Sequence, residues 1–345
     1  MKTLQKLREN SQQWEKYWRR EEVIETIRRF FKDNGFHEVE VPLLLPTVST
    51  EPFLEVFRTE LTNDQGKKWP AFLPSSPEFA LKKLLSAGSG SIFTITKSFR
   101  NGEGRSSRHN PEFTILEWYT TPGDYWTVAG QFEQLMLQIN RGKDKLRYQG
   151  KEYSLKTPWQ RLSVAEAFTK YAGVEVESML DEAKLKEIGK QKGYLVTAKT
   201  TWEEIWNQIF ANEIEPKLGQ TGPTILYDYP TAQAALAKKA KDPRFAERWE
   251  LYLAGMELGN CFSELTDYRE QETRCKADLA ERKKLGKTEY PMDREFIEAL
   301  KLGMPPTGGI AVGVDRLVAL FTDVLAVSET LFFPVEELFD KRNTI

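Results

Sequence analysis

Apolar positions along the chain change their period several times, and each change marks an element. Between residues 14 and 34, Val23, Ile24, Ile27, Phe30 and Phe31 recur at helical spacing on a charged background, and Gly35 supplies the stop. Phe36 to Val41 then alternates as a strand that ends at Pro42. Ser76-Pro77-Glu78 offers a cap, a proline for the first helical position and an acid for the first turn. A helix is predicted from there through Leu84 and Leu85 towards Gly88. Ile92 to Arg100 and Phe113 to Tyr119 predict two strands joined by a long polar loop. The stretch 125–222 reads as mostly helical, with Thr201 and Glu204 spaced as a capping box. Trp249 to Leu253 and Met256 to Leu265 predict a hairpin turned at Ala254-Gly255. Gly308 to Val314 is a strand of small residues, and Asp315 opens a last helix through Phe321. Strands separated by helical stretches of unequal length predict an α+β fold, an antiparallel sheet with helices packed around it. No repeat or low-complexity linker divides the chain, so one domain is expected.

Composition narrows the chemistry. At 345 residues the chain can bury a large core. A net charge of -2 argues against a broad basic surface for nucleic acid. Cys261 and Cys275 are the only cysteines, and His37 and His109 the only histidines, which excludes a disulfide framework and histidine-rich metal sites. No apolar run approaches the ~20 residues of a membrane helix, and the charged first thirty residues lack a signal-peptide core. The cytosol is the expected compartment, with no membrane partner.

Three segments hold the candidate chemistry. Period-two alternation puts Phe113, Ile115, Glu117 and Tyr119 on one strand face, with Arg100 ending the preceding strand and Arg108-His109 closing the loop between them. The 249–265 hairpin puts Asn260, Phe262 and Glu264 on one face, while Glu250 and Glu257 flank its turn as two carboxylates suited to Mg²⁺. Glu257 has the wrong parity for that face and requires a bulge, which Gly259 permits. In Gly308–Arg316, Ala311 and Gly313 share a face open to a flat ligand, and Arg316 stands at a helix start. Taken singly, these segments also fit a solvent-facing strand, an acidic edge and a close-packed strand-helix junction.

Their order is more specific. Helix-Gly35-strand-Pro42, Arg100…Phe113…Glu117 and Gly313-Val314-Asp315-Arg316 resemble the three signatures of class II aminoacyl-tRNA synthetases, and Leu331-Phe332-Phe333-Pro334 resembles that family's ending. Arg108–Phe113 and Glu257–Leu265 resemble the lysine branch, over roughly residues 14–340. The first signature begins near residue 14, which leaves no room for an anticodon-reading domain ahead of it. That architecture is similar to the truncated paralogues that attach β-lysine to a lysine of elongation factor P. Ser76 stands where the tRNA synthetases have alanine, and Ala311 where they have glycine.

The resemblance implies ATP and Mg²⁺ as cofactors, lysine or β-lysine as substrate, elongation factor P as acceptor, a homodimer, and no role for tRNA. It implies that Arg100 holds the α-phosphate and that Phe113 stacks on adenine against Arg316. Arg108, His109 and Arg316 then address the outer phosphates, and Glu250 and Glu257 bind Mg²⁺. Glu78 meets the backbone-type amino group, while Glu117, Tyr119 and Glu264 recognise the side-chain ammonium. Asn260, Phe262, Ser76 and Ala311 complete the amino acid pocket. The loop 101–107 is one residue longer than the family norm. Gly102 follows Asn101 where a glutamate usually contacts adenine, so Glu103 is its expected substitute. Cys261 stands where glycine is commoner. Arg100 and Arg316 are the expected catalytic pair, acting by charge neutralisation without a protein base in the adenylation step. A stand-alone core that charges tRNA, an ammonia-dependent amide ligase of the asparagine type and a silent regulatory paralogue remain as alternatives.

Overall fold

The computed structural model describes residues 2–103 and 106–339. Helix α1 (Lys2–Glu9) leads to α2 (Glu15–Asp33), which buries Val23, Ile27, Phe30 and Phe31, the face its periodicity predicted. After Gly35, whose φ of +79° only a residue without Cβ adopts freely, the alternating stretch forms just two residues of strand, β1 (His37–Glu38). The hairpin β2 (Phe57–Thr62) and β3 (Lys68–Leu73) follows, then α3 (Glu78–Ser86). Pro77, not Ser76, occupies the cap position of α3, yet Ser76 Oγ still accepts from the Glu78 amide at 3.0 Å.

Strands β4 (Ile92–Phe99) and β5 (Glu112–Thr120) flank the polar loop as expected. The next segment departs from expectation. Helix α4 (Tyr125–Ile139) gives way to β6 (Lys145–Tyr148), β7 (Lys151–Ser154) and β8 (Gln160–Ser163). Only then come helices α5 (Val164–Ala167), α6 (Val176–Met179), α7 (Glu182–Gln191) and α8 (Trp202–Ile209), so the helical insertion is confined to the later part of 125–222. Thr201 and Glu204 do form the capping box of α8. Strands β9 (Thr224–Pro230), β10 (Phe245–Leu253) and β11 (Met256–Ser263) are followed by α9 (Tyr268–Lys284) and α10 (Arg294–Gly303). Next come β12 (Gly308–Gly313) and α11 (Val314–Phe321), which Gly313 caps and whose first turn holds Asp315; it is not the last helix, since α12 (Val335–Leu338) follows.

Eight strands form one sheet in the order β1-β4-β5-β12-β11-β10-β9-β8. Its middle is antiparallel, as expected, but both edge pairs, β1–β4 and β8–β9, are parallel. One face carries Leu116, Trp118, Ile310, Val312, Cys261, Trp249 and Leu251 into a core shared with α2, α4 and α11. Covering that face leaves the other free to present polar groups, and the candidate chemistry lies there. Among the described residues no helix is long and apolar enough to cross a membrane.

Candidate active site

Strand register assembles the site in two rows. Thr94, Glu117, Ala311, Asn260 and Glu250 pair in succession across β4, β5, β12, β11 and β10. Two residues along, Ile92, Tyr119, Gly309, Phe262 and Arg248 form the neighbouring row. Residues directly opposite one another share a face, so five strands converge on one surface. The hairpin needed its bulge and has it: Leu251 pairs with Gly259 but Tyr252 pairs with Glu257, leaving Leu258 as the extra residue. Ala254 and Gly255 both take positive φ in the turn, the twist a two-residue hairpin favours.

The rows floor a cavity of about 760 Å³, walled by residues 49–54, α3, α8 and α9. At its polar end Glu117, 1% exposed, receives Ser76 Oγ on Oε1 at 2.6 Å and the Tyr119 hydroxyl on Oε2 at 3.1 Å. Burial, with the Glu78 charge adding to it, pushes the Glu117 carboxyl up to about 8. Glu78 and Glu264 converge on a residue that sequence reasoning missed. Lys82 has no solvent exposure, and its Nζ lies 2.6 Å from Glu78 Oε1 and 2.5 Å from Glu264 Oε2. Burial disfavours that ammonium, but Glu264 and Glu78 outweigh it and raise its pKa. Burial likewise raises Glu264 against the pull of Lys82. Gly309 leaves the room these groups need. A Cβ there would stand 2.2 Å from Glu264 Oε1 and 2.4 Å from Tyr119 Cε1.

At the other end Arg100 directly follows β4, with its guanidinium 5.3 Å from the Phe113 ring centroid and 3.5 Å from Glu103 Oε1. Phe113 is thus stacked on Arg100, while Arg316 is engaged elsewhere. Its Nη1 donates to the Glu257 carbonyl at 2.7 Å and faces Glu257 Oε2 at 3.5 Å, and Nη2 meets His109 Nε2 at 3.0 Å. His109 also contacts Ser106 Oγ through Nδ1 at 2.7 Å, and desolvation together with Arg316 lowers its pKa. Arg108 is exposed beside Gly255, 3.7 Å from a Cβ built there. Asn101 is exposed and bonds its own neighbour, Oδ1 accepting from the Gly102 amide at 2.9 Å. Gly104 and Arg105, in the lengthened loop, lie outside the described residues.

Glu250 is more heavily engaged than its sequence suggested. It accepts from Tyr229 and Tyr252 hydroxyls on Oε2 at 2.6 and 2.5 Å and from Arg248 on Oε1 at 2.6 Å. Arg248, also unpredicted, reaches Asn260 Oδ1 at 3.1 Å and the Gln233 carbonyl at 2.6 Å. The structure therefore brings together Ser76, Glu78, Glu117, Tyr119, Asn260, Phe262, Glu264, Ala311, Glu250 and Arg100 around one cavity. Phe113, Glu103, Arg108, His109, Glu257 and Arg316 form the adjoining cationic edge. Desolvation raises the proton affinity of Glu257, and the nearby Glu250 charge adds to it. A hard divalent cation relieves such repulsion, and with only two carboxylates it would complete its shell from phosphate and water, the habit of Mg²⁺. Among the described residues no cluster of three or more metal-ligating side chains exists.

A family model described as class II tRNA synthetases (D, K and N) matches residues 2–337. An elongation factor P–(R)-β-lysine ligase of Actinobacillus succinogenes is 37% identical over 318 residues, covering 92% of this chain and 94% of that one. A lysine–tRNA ligase of Chloroflexus aurantiacus is 37% identical over 322 residues, covering 91% of this chain and 64% of that one. A lysine–tRNA ligase of Carboxydothermus hydrogenoformans is 35% identical, with the same 64% of its length covered. The chain thus spans just under two thirds of these tRNA ligases. With the family model matched almost end to end, this chain belongs to the family of class II tRNA synthetases (D, K and N).

Proposed function

We propose that the protein is an ATP-dependent ligase that activates lysine, as β-lysine, to an adenylate and passes the acyl group to a lysine side chain of elongation factor P. The observation that carries the reading is the convergence of Glu78, Glu117 and Glu264 on one buried pocket with Arg100 at its rim. Glu78 and Glu264 share Lys82 while Glu117 is bonded only by the neutral hydroxyls of Ser76 and Tyr119, an acidic end suited to the ammonium groups of a diamino acid. Similarity to a β-lysine ligase over 94% of its length supports the finer substrate and acceptor.

In this reading the carboxylate of the amino acid attacks the α-phosphate in line and expels pyrophosphate. Arg100 binds the α-phosphate and neutralises charge as it develops, while Arg316, Arg108 and His109 bind the outer phosphates. Phe113 offers a stacking face to adenine, and Glu103 a carboxylate near its edge. Glu250 and Glu257 would hold Mg²⁺, which would supply further charge neutralisation on the phosphates. Glu78 takes the backbone-type amino group, and Glu117, Tyr119 and Glu264 the second ammonium. Ser76, Asn260, Phe262 and Ala311 fix the stem and carboxylate, Ser76 and Ala311 favouring a displaced amino group. The reading carries with it a cytosolic homodimer. In support, Trp18 on α2 is 55% exposed and stacks on Trp14, an apolar face available to a second copy.

Pyrophosphate exchange with α-lysine, β-lysine, ornithine and aspartate side by side tests it. Diamino acids should support exchange, β-lysine best, and Arg100→Ala should reduce it by several orders of magnitude; exchange with aspartate alone would show an amide ligase instead. The second reading, a core that charges tRNA, is favoured by identity to lysine–tRNA ligases. Aminoacylation of lysine tRNA faster than modification of elongation factor P would establish it.

A further inference from the structure

Acyl transfer to an amine needs a proton acceptor, and the acids discussed so far are engaged. Glu78 and Glu264 share Lys82, Glu117 lies between Ser76 and Tyr119, and Glu250 is held by Arg248 and two tyrosines. The segment between β1 and β2 brings another carboxylate to the cavity. Arg282, 1% exposed, donates from Nη1 to the carbonyls of Glu51 and Leu54, both at 2.6 Å. The Tyr290 hydroxyl donates to the Ser49 carbonyl at 2.6 Å, and Thr50 Oγ1 donates to Asp278 Oδ2 at 3.0 Å. With its backbone fixed to α9 and the loop beyond it, the segment places Glu51 in the cavity wall with its side chain open to the cavity. Its Oε1 accepts only long hydrogen bonds from neutral hydroxyls, Ser49 at 3.4 Å and Ser75 at 3.3 Å.

We propose that Glu51 is the base that takes the proton of the attacking amine in the transfer step, an inference that rests on the adenylate reading above. In such an adenylate the acyl carbon lies between the phosphate at Arg100 and the amino group at Glu78. Glu51 lines the same cavity as both residues. The lone pair of the neutral amine forms the C–N bond, the C–O bond to phosphate breaks, and AMP leaves with that electron pair. The surplus N–H proton passes to the Glu51 carboxylate. The surroundings suit a base. Partial desolvation inside the cavity raises the affinity of Glu51 for a proton and Glu78 adds to it, while Arg100, Ser75 and Ser49 oppose. Asp278 faces it from α9, itself raised to about 6 by burial with the Glu51 charge contributing, and Tyr290 feels the same charge.

Glu51→Gln separates the two half-reactions. Enzyme carrying the adenylate is chased with butylamine or with hydroxylamine, and AMP release is followed at one fixed pH. Hydroxylamine is a weakly basic nucleophile that needs little help in losing its proton. Pyrophosphate exchange and hydroxylamine cleavage should be unchanged in the variant, while butylamine transfer slows by about a hundredfold or more. Butylamine transfer at the wild-type rate, loss of both nucleophiles alike, or loss of exchange would each overturn the assignment. Absence of exchange in the wild-type protein with every diamino acid would instead remove the adenylate reading on which it depends.

Discussion

Lys82 decides how the pocket is charged. A buried ammonium lies between two carboxylates and offsets their charge, and removing it would leave two acids facing each other in a dry site. Lys82→Met is expected to raise KM for the amino acid by about tenfold or more at neutral pH and to leave KM for ATP unchanged. Because the acids of the variant ionise only at higher pH, the defect should narrow as pH rises; a pH-independent defect would mark a packing role alone. Nothing in the local pattern singled this lysine out, since Lys82-Lys83 on a helix resembles a solvated face. Its one local sign is the Glu78–Lys82 spacing of four, which aligns them on the helix, but only the end of β11 brings Glu264 to the pair. Glu117 and Tyr119 were legible because strand alternation fixes a face without tertiary knowledge. Glu51 was not, because an irregular segment has no period to read.

At the scale of elements, the same contrast holds. Parity alone required a bulge in the 249–265 hairpin, and the strand pairing supplies it at Leu258. The strands β6 to β8 went unread because each is four residues long, too short for alternation to stand out among helical segments. The parallel edges were missed for a related reason, since pairing direction depends on where a connection returns. What joins the three signature segments physically is a buried polar staple. Arg20 on α2 pairs with Asp315 on α11 at 2.6 Å and donates to Thr114 Oγ1 at 2.8 Å, while Asp315 Oδ2 accepts from the Thr114 amide of β5 at 2.9 Å. Arg20→Leu strands the Asp315 carboxylate, 3% exposed, in the interior. We expect a loss of about 3 kcal/mol in urea unfolding, from the uncompensated charge. A change within about 0.5 kcal/mol, typical of surface sites, would show that the staple is not holding these elements together.

For the molecule as a whole, a net charge of -2 conceals a strong local polarity, with acids at one end of the site and arginines at the other. That separation ties ligand binding to protons. In the empty protein Glu117 is held up to about 8 against an ordinary 4.5. Between those values the folded chain keeps a proton that the unfolded chain has lost. The stability this group contributes is therefore full below the lower value and fades as pH rises through the upper one. A bound ammonium reverses the preference, because it stabilises the carboxylate. Binding of a diamino acid at pH 7 should then expel a proton from Glu117, with Glu264 adding to the release. Calorimetric titration in buffers of different ionisation enthalpy measures this directly, since the slope of binding heat against buffer enthalpy counts the protons. The slope should be about one or more at pH 7 and fall by about one in Glu117→Gln. It should also vanish above the raised pKa, where the empty pocket is already ionised. A zero slope at pH 7 in the wild-type protein would mean that Glu117 stands charged in the unliganded site, and the coupling of substrate charge to pocket protonation would be lost.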